Sequence, residues 1–360
     1  MTANFKIAGL LGIALAVLGA SNAKETDAPK LKLSDYVFFT GKMSDLAPAP
    51  GVFPYEVNAP LFSDYAQKAR FLFLPEGRQM RYNSERAFDF PTGAVIIKNF
   101  YYRNDGRSSE KGRRILETRL LVKEEQGWKA LEYLWNAEQT DAFLEVAGAN
   151  FPVSWIDEKG KRQSIQYTAP NLNQCKGCHS YDGQFVPIGI TARQLNRTEN
   201  GENQLVLWQK ANRLELPGDF DLNTAPRLTD YRVPITNQPA HQSTNPYEAA
   251  ARAYLDANCA HCHNPHGPAS TSGMFLEATQ SDMGKLGVGK PPVAAGRGTG
   301  DRRFGIVPGK PNESILVFRM ESDDPGIRMP ELGRQLPHQE GLEIIKEWIR
   351  RMGSTSFSPK

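Results

Sequence analysis

Gln174-Cys175-Lys176-Gly177-Cys178-His179 is the stretch on which the reading of this chain turns. Two thiols separated by two residues, with a histidine directly after the second, make a C-x-x-C-H run. The spacing suits covalent attachment of a c-type haem: the thiols form thioethers to the porphyrin's two vinyl groups, and the histidine lies beneath the iron as proximal ligand. Asn258-Cys259-Ala260-His261-Cys262-His263 repeats the run, and the two runs use all 4 cysteines. No thiol is left for a disulfide.

Three other uses of such cysteines compete with haem: a zinc site, a dithiol redox pair, and two disulfides in an exported chain. None of them requires a histidine directly after the second cysteine, and both runs have one. The expected cofactors are two covalently attached haem c groups, held through Cys175, Cys178, Cys259 and Cys262. His179 and His263 are the expected iron ligands.

Outward from these runs, 360 residues with 40% hydrophobic content can bury a substantial core, and two domains are expected. Residues 1–23 read as a signal peptide: Lys6 gives the positive region, Ile7 to Ala20 the apolar region, and Ser21-Asn22-Ala23 the small-residue cleavage site. About 14 apolar residues are too few to span a bilayer comfortably, so no stable membrane anchor is expected. Export and haem attachment agree with each other, and the expected location is the periplasm. A formal charge of +3 is far too small to argue for a nucleic-acid partner.

Residues 24–32 read as a flexible lead-in and 33–215 as a β-rich haem domain. Ala94 to Tyr102 and Ile115 to Lys123 are expected strands of an antiparallel sheet. The second places Leu116, Thr118, Leu120 and Val122 on one face, with Glu117, Arg119 and Lys123 on the other. Asp141 to Leu144 fits a short helix or an irregular crossing, and Gln204 to Leu214 a helix with Leu205 and Trp208 inward. Residues 216–244, rich in proline, read as a linker packed along the surface. Asn245 as N-cap and Pro246 at the first helical position open a helix to Asn258, and His338 to Met352 has the spacing of an amphipathic terminal helix. The expected architecture is α+β, with a β-rich first domain followed by an all-α cytochrome c-like domain over 245–355.

Helix, C-x-x-C-H, long loop, Met-Pro pair and terminal helix come in the order found in small α-helical cytochromes c, which residues 245–355 resemble. The resemblance implies that Met329, in Arg328-Met329-Pro330-Glu331, ligates iron opposite His263, a pairing that raises the potential and suits an electron carrier. A methionine packed in a core is the plainer role; Met274 and Met320, in apolar strings, fit it better. His261 is expected to face solvent, and His266 to be a solvated loop histidine or a propionate partner.

The first run has no Met-Pro pair after it, so its sixth ligand is either absent or distant. Met80 is the best protein candidate, ahead of Met43 and His241. The segment before it, with Phe90 to Lys98 and Gly127-Trp128, resembles the β-sheet cytochromes, and that likeness implies a five-coordinate iron with an open face.

Taken whole, the chain resembles a family of bacterial exported dihaem c-type cytochromes of undetermined function. The strings that carry this are Ala59 to Tyr65, Glu117-Thr118-Arg119, Trp135-Asn136, the two haem runs, Asn203-Gln204-Leu205, and Met329 to Arg334. The family resemblance implies a periplasmic redox partner and offers a secreted β-helix protein as one. Electron transfer is the expected function; the alternative is a haem oxidoreductase with a substrate-binding face on the first haem, and a β-rich recognition module is a third reading. Asp64, Glu117, Arg119 and Asp141 have catalytic residue types, but an Arg-Glu pair in a sheet is ordinarily structural, and no catalytic residue is assigned.

Overall fold

The computed structural model describes residues 28–237 and 245–353. The expected signal peptide, residues 1–23, and His241 lie outside the described residues. Six strands form the main sheet: β1 (Val52–Pro54), β2 (Gln67–Phe73), β3 (Val95–Arg103), β4 (Arg113–Glu124), β5 (Gly127–Trp135) and β6 (Ala142–Glu145). They are hydrogen-bonded in chain order, every neighbour antiparallel. Asp141 to Leu144, expected as a helix or crossing, instead enters the edge strand β6, where Lys32 bridges to Phe143.

Side chains alternate across a sheet, so each cross-strand row belongs to one face. Phe71, Ile97, Leu120 and Leu131 make one such row. Leu33, Phe38, Phe39 and Leu46 from the N-terminal segment cover it as an apolar core. Alternation in β4 holds from Glu117 to Lys123 as read from the sequence and fails at Leu116. The register shifts there, opposite Phe100 and Tyr101, and Leu116 turns to the opposite face, packing with Phe100 and Tyr102. One extra residue in a strand inverts the facing of whatever precedes it.

A hairpin of β7 (Ala149–Ile156) and β8 (Arg162–Ala169) closes over that second face. Val153, Trp155, Ile165 and Tyr167 pack there, and the Trp155 ring stacks on Tyr102 at 4.4 Å. The hairpin delivers the chain directly into helix α1 (Leu172–Cys178), which carries the first C-x-x-C-H run. Helix α2 (Gln204–Lys210) follows, buries Leu205 and Trp208 as expected, and ends before Leu214, which is buried in an extended segment paired with Met80.

The expectation of an all-α C-terminal domain is overturned. Among the described residues strands make up about 27% and helices about 24%, a mixed α/β composition in which helices are sparse. The C-terminal region has α3 (Glu248–Asn258), a four-residue turn at Met283–Leu286, α4 (Ile315–Glu321) and α5 (Gln339–Arg350), joined by long irregular segments. Parallel bridges Val288 to Ile306 and Phe304 to Ser314 tie those segments together. The physical reason lies in the Gly- and Pro-rich stretch: Gly305 faces the Gly287 carbonyl where a Cβ would come within 2.8 Å, so the two strands of chain approach backbone to backbone and helix is excluded. Helix α3 also starts at Glu248, two residues later than the Pro246 signal suggests. Asn245 caps the preceding turn, its Oδ1 accepting from Tyr247 N at 3.1 Å.

Both halves close on each other through the Ala59 to Tyr65 string. Phe62 N donates to Asn258 Oδ1 at 2.7 Å, and the Phe62 ring stacks on His338 at 4.2 Å. Buried Asp64 accepts from Gln335 N at 2.7 Å and Leu336 N at 2.8 Å. Leu228 and Tyr231, in the proline-rich segment read as a linker, are buried in the C-terminal core alongside Ala59 and Tyr254.

Candidate functional site

Helix α1 is short, and its start is fixed by a reciprocal cap: Asn171 accepts from Gln174 N, and Gln174 accepts from Asn171 N, both at 2.9 Å. One turn of this helix separates Cys175 from Cys178. His179 ends it, with its Nδ1 2.7 Å from the Val186 carbonyl and its ring stacked on Phe185 at 5.1 Å. An Nδ1–H donated to that carbonyl fixes the tautomer and leaves the Nε2 lone pair for a metal. Burial, with the Lys98 charge adding to it, pulls the ring's pKa down to about 3. The imidazole is therefore neutral at ordinary pH, as a ligand must be.

The second run begins where α3 ends. His263 N donates to Cys259 O at 2.9 Å, and Ser272 Oγ lies 3.4 Å from His263 Nδ1. Burial lowers the His263 pKa, partly offset by a backbone hydrogen bond at Met274. Burial also pushes the thiols of Cys175 and Cys259 up, to about 11 and about 12.

The two runs meet. Cys178, His261 and Cys262 bring their donor atoms within 4.8 Å of one another, and Cys262 Sγ lies 3.7 Å from the Gly177 carbonyl. Hydrogen bonding from Cys262, then from His261, holds the Cys178 thiol low while Cys262 is raised. His261, expected to face solvent, is half-buried, and its Nδ1 is buried without a partner among the described residues. His266 is the exposed loop histidine, 2.9 Å from Asp182 and stacked on Tyr181.

A cavity of about 1050 Å³ opens beside α1. Cys175, Cys178, His179, Cys259 and Met329 all line it, whereas Cys262 and His263 do not. Met329 is held by its backbone: its N donates to Arg319 O at 2.9 Å, and the buried Arg334 donates to its carbonyl through Nε at 3.0 Å and Nη2 at 2.7 Å. Met80 is fully buried in the core of Phe53, Leu72, Leu205 and Trp208 and does not reach the cavity, so it is a packing residue. Met43 packs beside the other sheet core. Met320 is buried core, and Met274 packs against it, as the sequence suggests. His338 lines the cavity, but its Nδ1 lies 3.3 Å from Tyr254 OH and its Nε2 3.5 Å from Glu340.

Sequence reading missed the cavity's opposite wall. Arg70, Lys98, Arg119, Glu132 and Glu145 stand directly opposite one another on β2 to β6, one charged row across five strands. Lys68, Phe100 and Glu117 form the next row, and all but Glu117 line the cavity. Glu117 is fully buried, accepting from Arg119 Nη2 at 2.5 Å and Tyr167 OH at 2.7 Å. Burial first, and the Glu117 carboxylate second, push the Glu132 carboxyl up to about 10, so it stays protonated. The signal was present in the charges placed every second residue among apolar ones, but cross-strand alignment is not written in any single strand.

This donor set fits a haem c. Cys175, Cys178 and a neutral His179 imidazole with a fixed tautomer converge on a cavity large enough for a cofactor, and Met329 and several cations share its lining. Residues Cys175, Cys178 and His179 would hold one group, and Cys259, Cys262 and His263 the other. Compared with known proteins, the chain matches no family model, no curated protein and no solved structure. Among the described residues, no helix is long and apolar enough to cross a membrane.

Proposed function

We propose that the chain is an exported, periplasmic c-type cytochrome that carries two haems and acts in electron transfer. One observation supports this above the rest: the first run's histidine offers Nε2 with Nδ1 tied 2.7 Å from a backbone carbonyl, in a cavity that Cys259 of the second run and Met329 also line. When bound, the haem irons supply one-electron exchange. The chain's own residues orient the imidazoles, hold Met329 on its Arg319 and Arg334 hydrogen bonds, and bring Cys178 against Cys262. On this reading Met329 and His263 would hold the second iron, and the partner is a periplasmic redox protein, with a secreted β-helix protein the candidate its sequence resemblance supplies.

The charged wall favours a second reading, a haem oxidoreductase in which the first haem keeps an open face. A buried polar wall is costly in a mere electron carrier and useful where a small polar molecule is held. Spectroscopy of the protein produced with its export and haem-attachment apparatus separates the two. A pyridine haemochrome assay giving two covalent haems per chain supports the family reading, and loss of one in Cys175→Ala assigns the site; retention of both sinks it. Carbon monoxide binding to the reduced first haem selects the oxidoreductase, and its absence selects the carrier.

A further inference from the structure

Arg70, Lys98 and Arg119 are directly opposed on β2, β3 and β4. Like charges in opposed sheet positions repel, the more so at a wall withdrawn from water. Arg70 has Glu56 at 3.1 Å and Arg119 has Glu117 at 2.5 Å. Lys98 has the Phe100 ring 6.0 Å from its Nζ and feels the buried Glu117 carboxylate only at a distance, with no ion-pair partner among the described residues. Lys68, one row along, donates to the carbonyls of Leu61 and Ala66 at 2.8 and 3.2 Å and meets no carboxylate. The neighbouring Glu132 is protonated and brings no negative charge. Neither lysine has a carboxylate at ion-pair distance among the described residues, burial and the neighbouring cations pull the Lys98 ammonium down to about 7 and Lys68 down as well, and the buried Arg119 Nε has no acceptor. Lys68, Lys98 and Arg119 line the same cavity.

We propose that Lys68, Lys98 and Arg119 form a binding site for a small oxyanion of the carboxylate or phosphate class, lying in the cavity against the sheet. An anion there converts mutual repulsion into shared attraction and favours the charged form of both lysines. Two sources carry that chemistry. One is a propionate of the haem held at Cys175 to His179, a case that rests on the haem reading; the other is a free anion from solution.

The test uses the haem-loaded protein, Lys98→Met and Lys98→Arg, in a low-salt zwitterionic buffer near about pH 6, where ordinary lysines are charged. Melting temperature and calorimetry are followed on adding inorganic phosphate, against sodium chloride of equal ionic strength. A free-anion site predicts phosphate binding that Lys98→Met weakens roughly tenfold or more and Lys98→Arg retains. A propionate site predicts no phosphate binding, a lower melting temperature in Lys98→Met only, and a lower reduction potential of the first haem, because a cation near the iron is lost. Absence of phosphate binding, with Lys98→Met as stable as the parent or more so and its potential unchanged, overturns the proposal. If Lys98→Met does not fold, phosphate binding and the potential of Lys68→Met decide in the same way. Haem content is counted in parallel, so a chain lacking two haems fails the cytochrome reading while the phosphate measurement still decides the anion site.

Discussion

Cys178 and Cys262, the last cysteines of two runs far apart in the chain, share one cluster with His261, all three donor atoms within 4.8 Å. Proteins that hold two redox centres gain by bringing their attachment points together, because the centres are then fixed relative to each other by the same contact. In haem-free protein the same closeness exposes two thiols to each other.

Mild oxidation of the haem-free chain is therefore expected to give a Cys178–Cys262 disulfide, identified by peptide mass mapping. The haem-loaded chain should titrate no free thiols at all. A haem-free chain that instead links Cys175 to Cys178 would show that the two runs are apart.

Met329→Ala should lower the reduction potential of one haem, by on the order of 100 mV within the ~0.8 V range that axial ligands span. Arg334→Met removes four charged hydrogen bonds to the carbonyls of Met329, Arg319 and Met320 from a buried position. A loss of roughly 2–3 kcal/mol is expected in chemical denaturation, together with partial loss of the thioether's charge-transfer absorption. An unchanged potential in Met329→Ala removes it as a ligand.

Glu132→Gln tests the protonated carboxyl. The unfolded chain releases this proton near 4.5, whereas the native carboxyl keeps it to about 10. Between those values the native state binds more protons, so stability falls as pH rises, and the contribution is fully present only below the lower value. The amide cannot lose a proton, so the variant should melt above the parent at about pH 8 and equal it at about pH 4. Denaturation curves at both pH values check the sign; a variant that melts lower at the higher pH would mean an ionised Glu132.

Asn171→Ala removes the cap that starts α1 and should destabilise that helix by about 1 kcal/mol. Limited proteolysis near Leu172 should quicken, while Asn171→Ser restores resistance. Because α1 sets the spacing of Cys175 and Cys178, haem attachment at the first run should fall along with the helix.

Local signals carried much of this in the sequence. The two C-x-x-C-H runs, the alternation of β4 beyond Glu117, and the amphipathic period of α5 are all nearest-neighbour patterns, and they are legible as such. The all-α expectation over 245–355 failed because the stretch between α3 and α4 is rich in Gly and Pro, and close backbone contact at Gly287 and Gly305 makes it a framework. Leu116 misled because a bulge leaves no mark in composition. Met80 was a candidate ligand by residue type, and only its burial beside Leu214 shows it to be packing. The charged wall was the largest omission: Arg70, Lys98, Arg119 and Glu132 are each unremarkable in their own strand and become a site only through register.

That register has a further consequence. A slip of β3 by one residue against its neighbours would carry Lys98 into the row of Phe71 and Leu120, and Ile97 into the cavity. Burying an ammonium among those side chains is prohibitive, so the wall doubles as a proofreading device for assembly. Misaligned sheets are rejected by the very charges that furnish the site, and any redesign that neutralises the wall should be watched for chains that pair their strands wrongly.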